Sequence, residues 1–265
     1  MRSLRVVGSL GRGSVLLVSL LALPACFGPL ALKPAGVVFE QVDEKSPLAQ
    51  AGIRPGDTLI SWERSSSSLG TEAGQIPTVF DWIWLKAEQA PRGPVSLRLW
   101  STGRNRTVEV APGKWQAKVR PQLPRALAEI YAKGHSRLRT GAVTEGIASL
   151  EQLLAAAKRK NDRALECWLQ LDIGEAWFAA GNLEHAREAH EGAVRAAPGS
   201  LSRAISWHNL AVIYQAQGDL EKSEQAFRAA LTTSGASSNS LWWRILDIVL
   251  KIDTPMGSDL AHQLQ

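Results

Sequence analysis

Cysteine is nearly absent from the 265-residue chain, which holds only Cys26 and Cys167. Two thiols cannot build a disulfide framework or a four-cysteine zinc site. Cys167, at the start of a helical stretch, reads as a small packed hydrophobe. The five histidines, His135, His185, His190, His208 and His262, show no metal spacing. His185 and His190 are five residues apart rather than the four of a paired site, and no H-E-x-x-H occurs. Glycine-rich phosphate loops are missing, and the serine run after Arg64 lacks the glycines of a G-x-S-x-G elbow. Acids are scattered along helices as on solvated faces. Neither enzyme chemistry nor a cofactor or metal is expected. Strong charge of one sign is lacking as well. The formal net charge is +5. Arg2, Arg5 and Arg12 lie in a segment expected to be removed, which leaves about +2, too little to argue for nucleic acid. Residues 92–120 are locally basic and carry Trp100 and Trp115, but no RNA-binding motif, and read as a solvated hairpin and linker.

The apolar run at residues 14–25, SVLLVSLLALPA, is shorter than the roughly 20 residues that cross a bilayer. It follows a basic stretch without acids, the pattern of a secretory signal over residues 1–25. Leu23-Pro24-Ala25-Cys26 resembles a bacterial lipobox, which implies lipidation of Cys26 and a membrane tether through acyl chains. Simple cleavage and an uncleaved anchor are the alternatives. All three place the chain outside the cytoplasm, in the cell envelope or periplasm.

Residues 36–63 read GVVFEQVDEKSPLAQAGIRPGDTLISWE. Val37–Phe39 favour a strand. Ser46 with Pro47 starts a short helix, Gly52 ends it, and Pro55-Gly56 suits a tight turn. Leu59, Ile60 and Trp62 make a buried strand. The run Gly36-Val37…Val42…Ser46-Pro47…Ala51-Gly52-Ile53-Arg54-Pro55-Gly56-Asp57 resembles bacterial PDZ domains. The resemblance implies an α+β PDZ-like domain over 28–118, a small partly open β-barrel with two helices. PTVFDWIWLKAEQA, residues 77–90, would be the groove helix, and VSLRLW with RTVEVAP the closing hairpin. The Ser/Gly-rich insertion between Arg64 and Ile76 is expected to be a surface loop. PDZ domains hold a peptide carboxylate on backbone amides while the peptide adds to a sheet edge. The resemblance puts that loop at Leu30-Ala31-Leu32, with Ala31 where the family has glycine and Pro34 cutting the following strand short. Phe80 and Trp84, at i and i+4, either line the groove or pack in the core.

After a proline-marked linker, 119–125, the composition becomes Ala/Leu/Glu-rich with helical spacing. A repeat of about 34 residues appears. Trp207, Leu210, Ala211, Tyr214, Gly218, Phe227 and Ala230 in one copy, and Gly174, Trp177, Gly181, Ala186, Ala193 and Pro198 in another, resemble the tetratricopeptide repeat. A weaker first copy carries Gly134, Gly141 and Leu150, with Gly146 in place of alanine. The resemblance implies an all-α TPR solenoid of three repeats, about 127–160, 167–200 and 204–237. Small residues at Gly174, Ala186 and Ala193 allow close helix approach, and the large ones fill gaps between pairs. Concave-face candidates for binding a protein or peptide partner are Tyr131, His135, Trp168, Leu171, Glu175, Phe178, Ile205 and His208. Alternatively, the linker or the last helix covers several of them. The basic clamp of carboxylate-gripping repeats is absent: Asn209 is its one hint, and Glu175 repels an anion. Residues 238–252, SNSLWWRILDIVLKI, form an apolar helix suited to a partner, to self-association, or to a further repeat. The sequence therefore reads as a non-catalytic interaction scaffold of the bacterial cell envelope. The alternative is the regulatory front part of a larger PDZ-TPR peptidase or signalling protein.

Overall fold

The structure, a computed structural model, describes residues 35–66 and 70–233. The signal segment, Cys26, the expected carboxylate loop Leu30-Ala31-Leu32 and the apolar stretch 238–252 lie outside the described residues.

The N-terminal part is a six-stranded antiparallel sheet with two short helices. Its strands are β1 (Val37–Val42), β2 (Thr58–Ser66), β3 (Gly70–Gln75), β4 (Val95–Ser101), β5 (Arg104–Val110) and β6 (Ala117–Pro121). The order is β5-β4-β2-β1-β6, with β3 paired to the far half of β2. Helix α1 (Pro47–Gln50) begins at Ser46, whose hydroxyl accepts from the Leu48 amide, with Pro47 at the first helical position. Asp57, after the Pro-Gly turn, accepts from the Arg54 amide at 2.9 Å and from Arg106 at 2.7 Å. Arg106 also donates to the Gly52 carbonyl. One carboxylate thereby ties the turn to β5, which is why an acid is buried here.

Three details depart from the sequence reading. The Ser/Gly insertion is not a simple surface loop: β2 and β3 pair from Ser61–Gln75 to Ser66–Gly70. Arg64 makes this extension worthwhile, because its buried guanidinium reaches Gln89 at 3.0 Å and Glu72 at 2.8 Å. The groove helix is regular only over α2 (Val79–Trp84) and then widens into a π turn, Leu85–Gln89. A Thr78–Asp81 capping box starts it. Finally, Val119–Pro121, read as linker, belong to β6, which pairs with β1 along Val37–Pro121 to Val42–Ala117.

Among the described residues the C-terminal part is six helices: α3 (Arg125–Arg139), α4 (Val143–Arg159), α5 (Arg163–Ala179), α6 (Leu183–Ala196), α7 (Ser200–Ala216) and α8 (Leu220–Thr233). A sheet followed by packed helical pairs is the architecture of a PDZ-like domain plus an all-helical repeat region. Gly141, Gly181 and Gly218 take positive φ just past α3, α5 and α7, where each chain turns back. Side chains of Asp162, Asn182 and Asp219 cap the helices that follow them. Close packing within a pair is clearest at Gly174: a Cβ there would lie 2.6 Å from Nε2 of His190, a ring fully buried on the facing helix. The two parts share their main core, while Tyr131, Ile147, Leu150, Leu153 and Leu169 form a second cluster among the helices. Val37, Phe39, Leu59, Trp82, Leu97 and Trp115 of the sheet part belong to one buried cluster with Cys167, Leu171, Ala193, Ala196 and Ile205 of the helices.

Candidate functional site

The first helices of the three pairs, α3, α5 and α7, line a concave face, and the sheet part sits over it. Helix α2 turns Val79, Phe80 and Ile83 toward this face, and β6 adds Lys118 and Val119. The space left between them is a cavity of about 390 Å³. Its helical wall includes Tyr131, His135, Trp168, Leu171, Glu175 and Ile205, with Asp172 and Asn209. Leu138, Arg139, Val143, Ala176, Ala179 and Ala180 complete the lining.

Most expected concave-face residues therefore do converge, and they converge with Phe80. Three do not line the cavity. Phe178 packs with Ala186 and Ile213 between pairs. His208 stacks edge-on against Phe227 at 5.2 Å, inside its own pair. Trp84 lies against Trp62, 5.7 Å between ring centres, and packs on the sheet core. The cover over the face is α2 and β6; β6 includes Val119 of the stretch read as linker, so that alternative is met in part, and residues 238–252, the other alternative, lie outside the described residues. Lys118, Val119 and Asp172 were missed. Alternation along 117–120 was the available signal for the first two, since Ala117 and Val119 are buried while Lys118 is exposed. Asp172 shares a face with Trp168 and Glu175 at helical spacing.

Electrostatics inside the site are mostly settled internally. His135 Nε2 and Asp172 Oδ2 are 2.8 Å apart and join α3 to α5. The Tyr131 and His135 rings lie 4.3 Å apart, centre to centre. Burial, then the Asp172 and Glu40 carboxylates, push the Tyr131 phenol well above its ordinary range, so it stays protonated. Burial drives the Cys167 thiol up to about 12, which makes it an inert core group beside Ser206. Among the described residues no group of three His, Cys, Asp or Glu could hold a metal ion. An apolar floor with a few fixed polar groups suits the binding of a ligand segment.

A family model, the tetratricopeptide repeat, matches residues 204–236. The match covers the α7–α8 pair, which contributes Ile205 and Asn209 to the cavity. Such repeats support a protein–protein interaction role. No curated protein matches the chain.

Proposed function

We propose that the chain is a non-catalytic scaffold of the bacterial cell envelope, exported and held to the membrane through a lipid on Cys26. It engages a protein partner in the groove between α2, β6 and the tetratricopeptide helices. The observation that carries this reading is that both modules open onto one cavity. A groove helix of the PDZ-like part and the concave face of the repeats are the two surfaces their resemblances assign to ligands, and here they face each other across about 390 Å³. The signal-like pattern of residues 1–25 and the resemblance of Leu23-Pro24-Ala25-Cys26 to a lipobox support the location.

Affinity capture from envelope extract tests the groove, comparing the intact mature chain with Ala179→Arg. Ala179 is exposed at the cavity lining, so the substitution fills the opening without disturbing the core. A partner retained by the intact chain and lost from the variant supports the groove; equal retention by both refutes it. Membrane fractionation of Cys26→Ser tests the tether, with release into the soluble envelope fraction expected.

A further inference from the structure

The chemistry of the partner follows from which charges at the cavity are already met. Of the acids in its lining, Asp172 is held by His135 at 2.8 Å, and Glu175 is itself engaged. The two cations differ. Lys118 on β6 and Arg139 at the end of α3 are both exposed, and neither makes an ion pair or side-chain hydrogen bond among the described residues. They come from different modules, one from the sheet and one from the first repeat. Between them the walls are apolar: Val79, Phe80 and Ile83 on one side, Leu171 and Ile205 on the other. The unmet complement of this site is thus an apolar centre with negative charge beside it.

Resting on the scaffold reading, we infer that the shared groove recognises an extended polypeptide segment in which a few large apolar side chains are flanked by acidic residues. The apolar side chains enter the cavity, and the acids meet Lys118 and Arg139. The volume lies at the lower end of the roughly 300–1,000 Å³ of binding pockets, enough for anchoring side chains but not for a whole helix. The indole N–H of Trp168, buried without a well-formed hydrogen bond, and the Asn209 amide lie among the apolar groups and suit a peptide backbone better than an acyl chain. Because β6 is the outer strand of the β5-β4-β2-β1-β6 order, an extended segment can run alongside it. One bound segment would then touch both modules, so neither groove binds independently.

The test uses the mature full chain and two fluorescein-labelled, C-terminally amidated peptides followed by anisotropy. One carries Ile-Trp-Leu-Val between pairs of glutamates, the other the same core between pairs of lysines. The acidic peptide is expected to bind about tenfold tighter, the scale of two rim charge pairs. Lys118→Glu combined with Arg139→Glu is expected to invert the order, and both positions are exposed, so the fold tolerates the change. Equal binding of the two peptides, or an order unchanged by the double reversal, overturns the inference. So does binding that needs a free C-terminal carboxylate, displacement of the peptide by anionic phospholipid vesicles, or binding that appears only after removal of residues 238–265, which would make that segment the occupant. A captured partner that remains sensitive to Ala179→Arg while the acidic preference is missing would sink this inference and leave the scaffold reading standing.

Discussion

Acid should unfold this protein through a histidine that has nothing to do with binding. His190 is fully buried between α5 and α6, and neither ring nitrogen has a hydrogen-bond partner. Its ring rests on Gly174, where a Cβ would come within 2.6 Å. Burial alone pulls its pKa from 6.5 down to about 4. The folded protein therefore refuses a proton that the unfolded chain accepts. Stability is complete above about pH 6.5, falls as the pH drops toward 4, and levels off below that. The loss at pH 4 is about 3 kcal/mol for this one ring. That is a large share of the ~5–15 kcal/mol that typically separates folded from unfolded chains. The assay is urea unfolding followed by circular dichroism at pH 7 and pH 4, for the mature chain and for His190→Leu. Leucine fills similar space and cannot titrate, so carboxylate effects common to both proteins cancel in the difference. The native chain is expected to lose about 3 kcal/mol more than the variant. At pH 7 the variant should be at least as stable, because an imidazole without partners costs free energy to bury. Equal losses for the two proteins would refute the reasoning, since His190 would then be charged or hydrated in the folded state.

Other perturbations separate the remaining contributions. Gly174→Ala drives a methyl into the His190 ring and should cost about 2 kcal/mol by urea titration; the penalty should shrink in a His190→Ala background, and strict additivity would contradict the contact. Asp57→Ala leaves the Arg54 amide without its acceptor and Arg106 with only the Gly52 carbonyl, and should cost about 2 kcal/mol in thermal or urea unfolding, whereas an unchanged midpoint would mean the turn holds itself. Phe80→Ala should cost about 3 kcal/mol while leaving one transition. Tryptophan fluorescence, five of whose ten indoles (Trp62, Trp82, Trp84, Trp100 and Trp115) lie in the sheet part, and ellipticity at 222 nm, dominated by the helices, should give one midpoint, and separated midpoints would refute the shared core.

The modules were legible because local rules wrote them. A capped Ser46-Pro47 start, the Pro-Gly turn before Asp57 and turn glycines at Gly141, Gly181 and Gly218 each require a particular residue for a backbone reason. The β2–β3 hairpin was not legible. Its strands are polar and glycine-rich, and what stabilises them is the buried guanidinium of Arg64 reaching Gln89, 25 residues further on. No local pattern encodes that reach. The π turn at Leu85–Gln89 was hidden for the same reason, since it buries Lys86, Glu88 and Gln89 in a helix whose sequence reads as regular. The cavity was half legible. Helical spacing located Tyr131, His135, Trp168, Leu171, Glu175 and Ile205 on one face, but what covers that face is tertiary.

That cover alters what the apolar concave face means. An open repeat groove lined by Leu171, Ile205 and Trp168 would be an exposed hydrophobic patch, which soluble proteins keep small. Here α2 and β6 take part of that surface out of water. Leu171 and Ile205 are 5% and 4% exposed, and they belong to the same buried cluster as the sheet core. The repeats therefore do not stand as a quasi-one-dimensional stack in which each unit meets only its neighbours, because the sheet part joins α5, α6 and α7 in one core. A ligand then meets a preformed, partly filled site whose two walls come from different modules, and it need not pay for ordering either wall. The consequence is specificity set at the opening: the core residues fix the spacing between the walls, and the exposed residues around it, Lys118, Arg139 and Ala179, are free to select what enters without any cost to the fold.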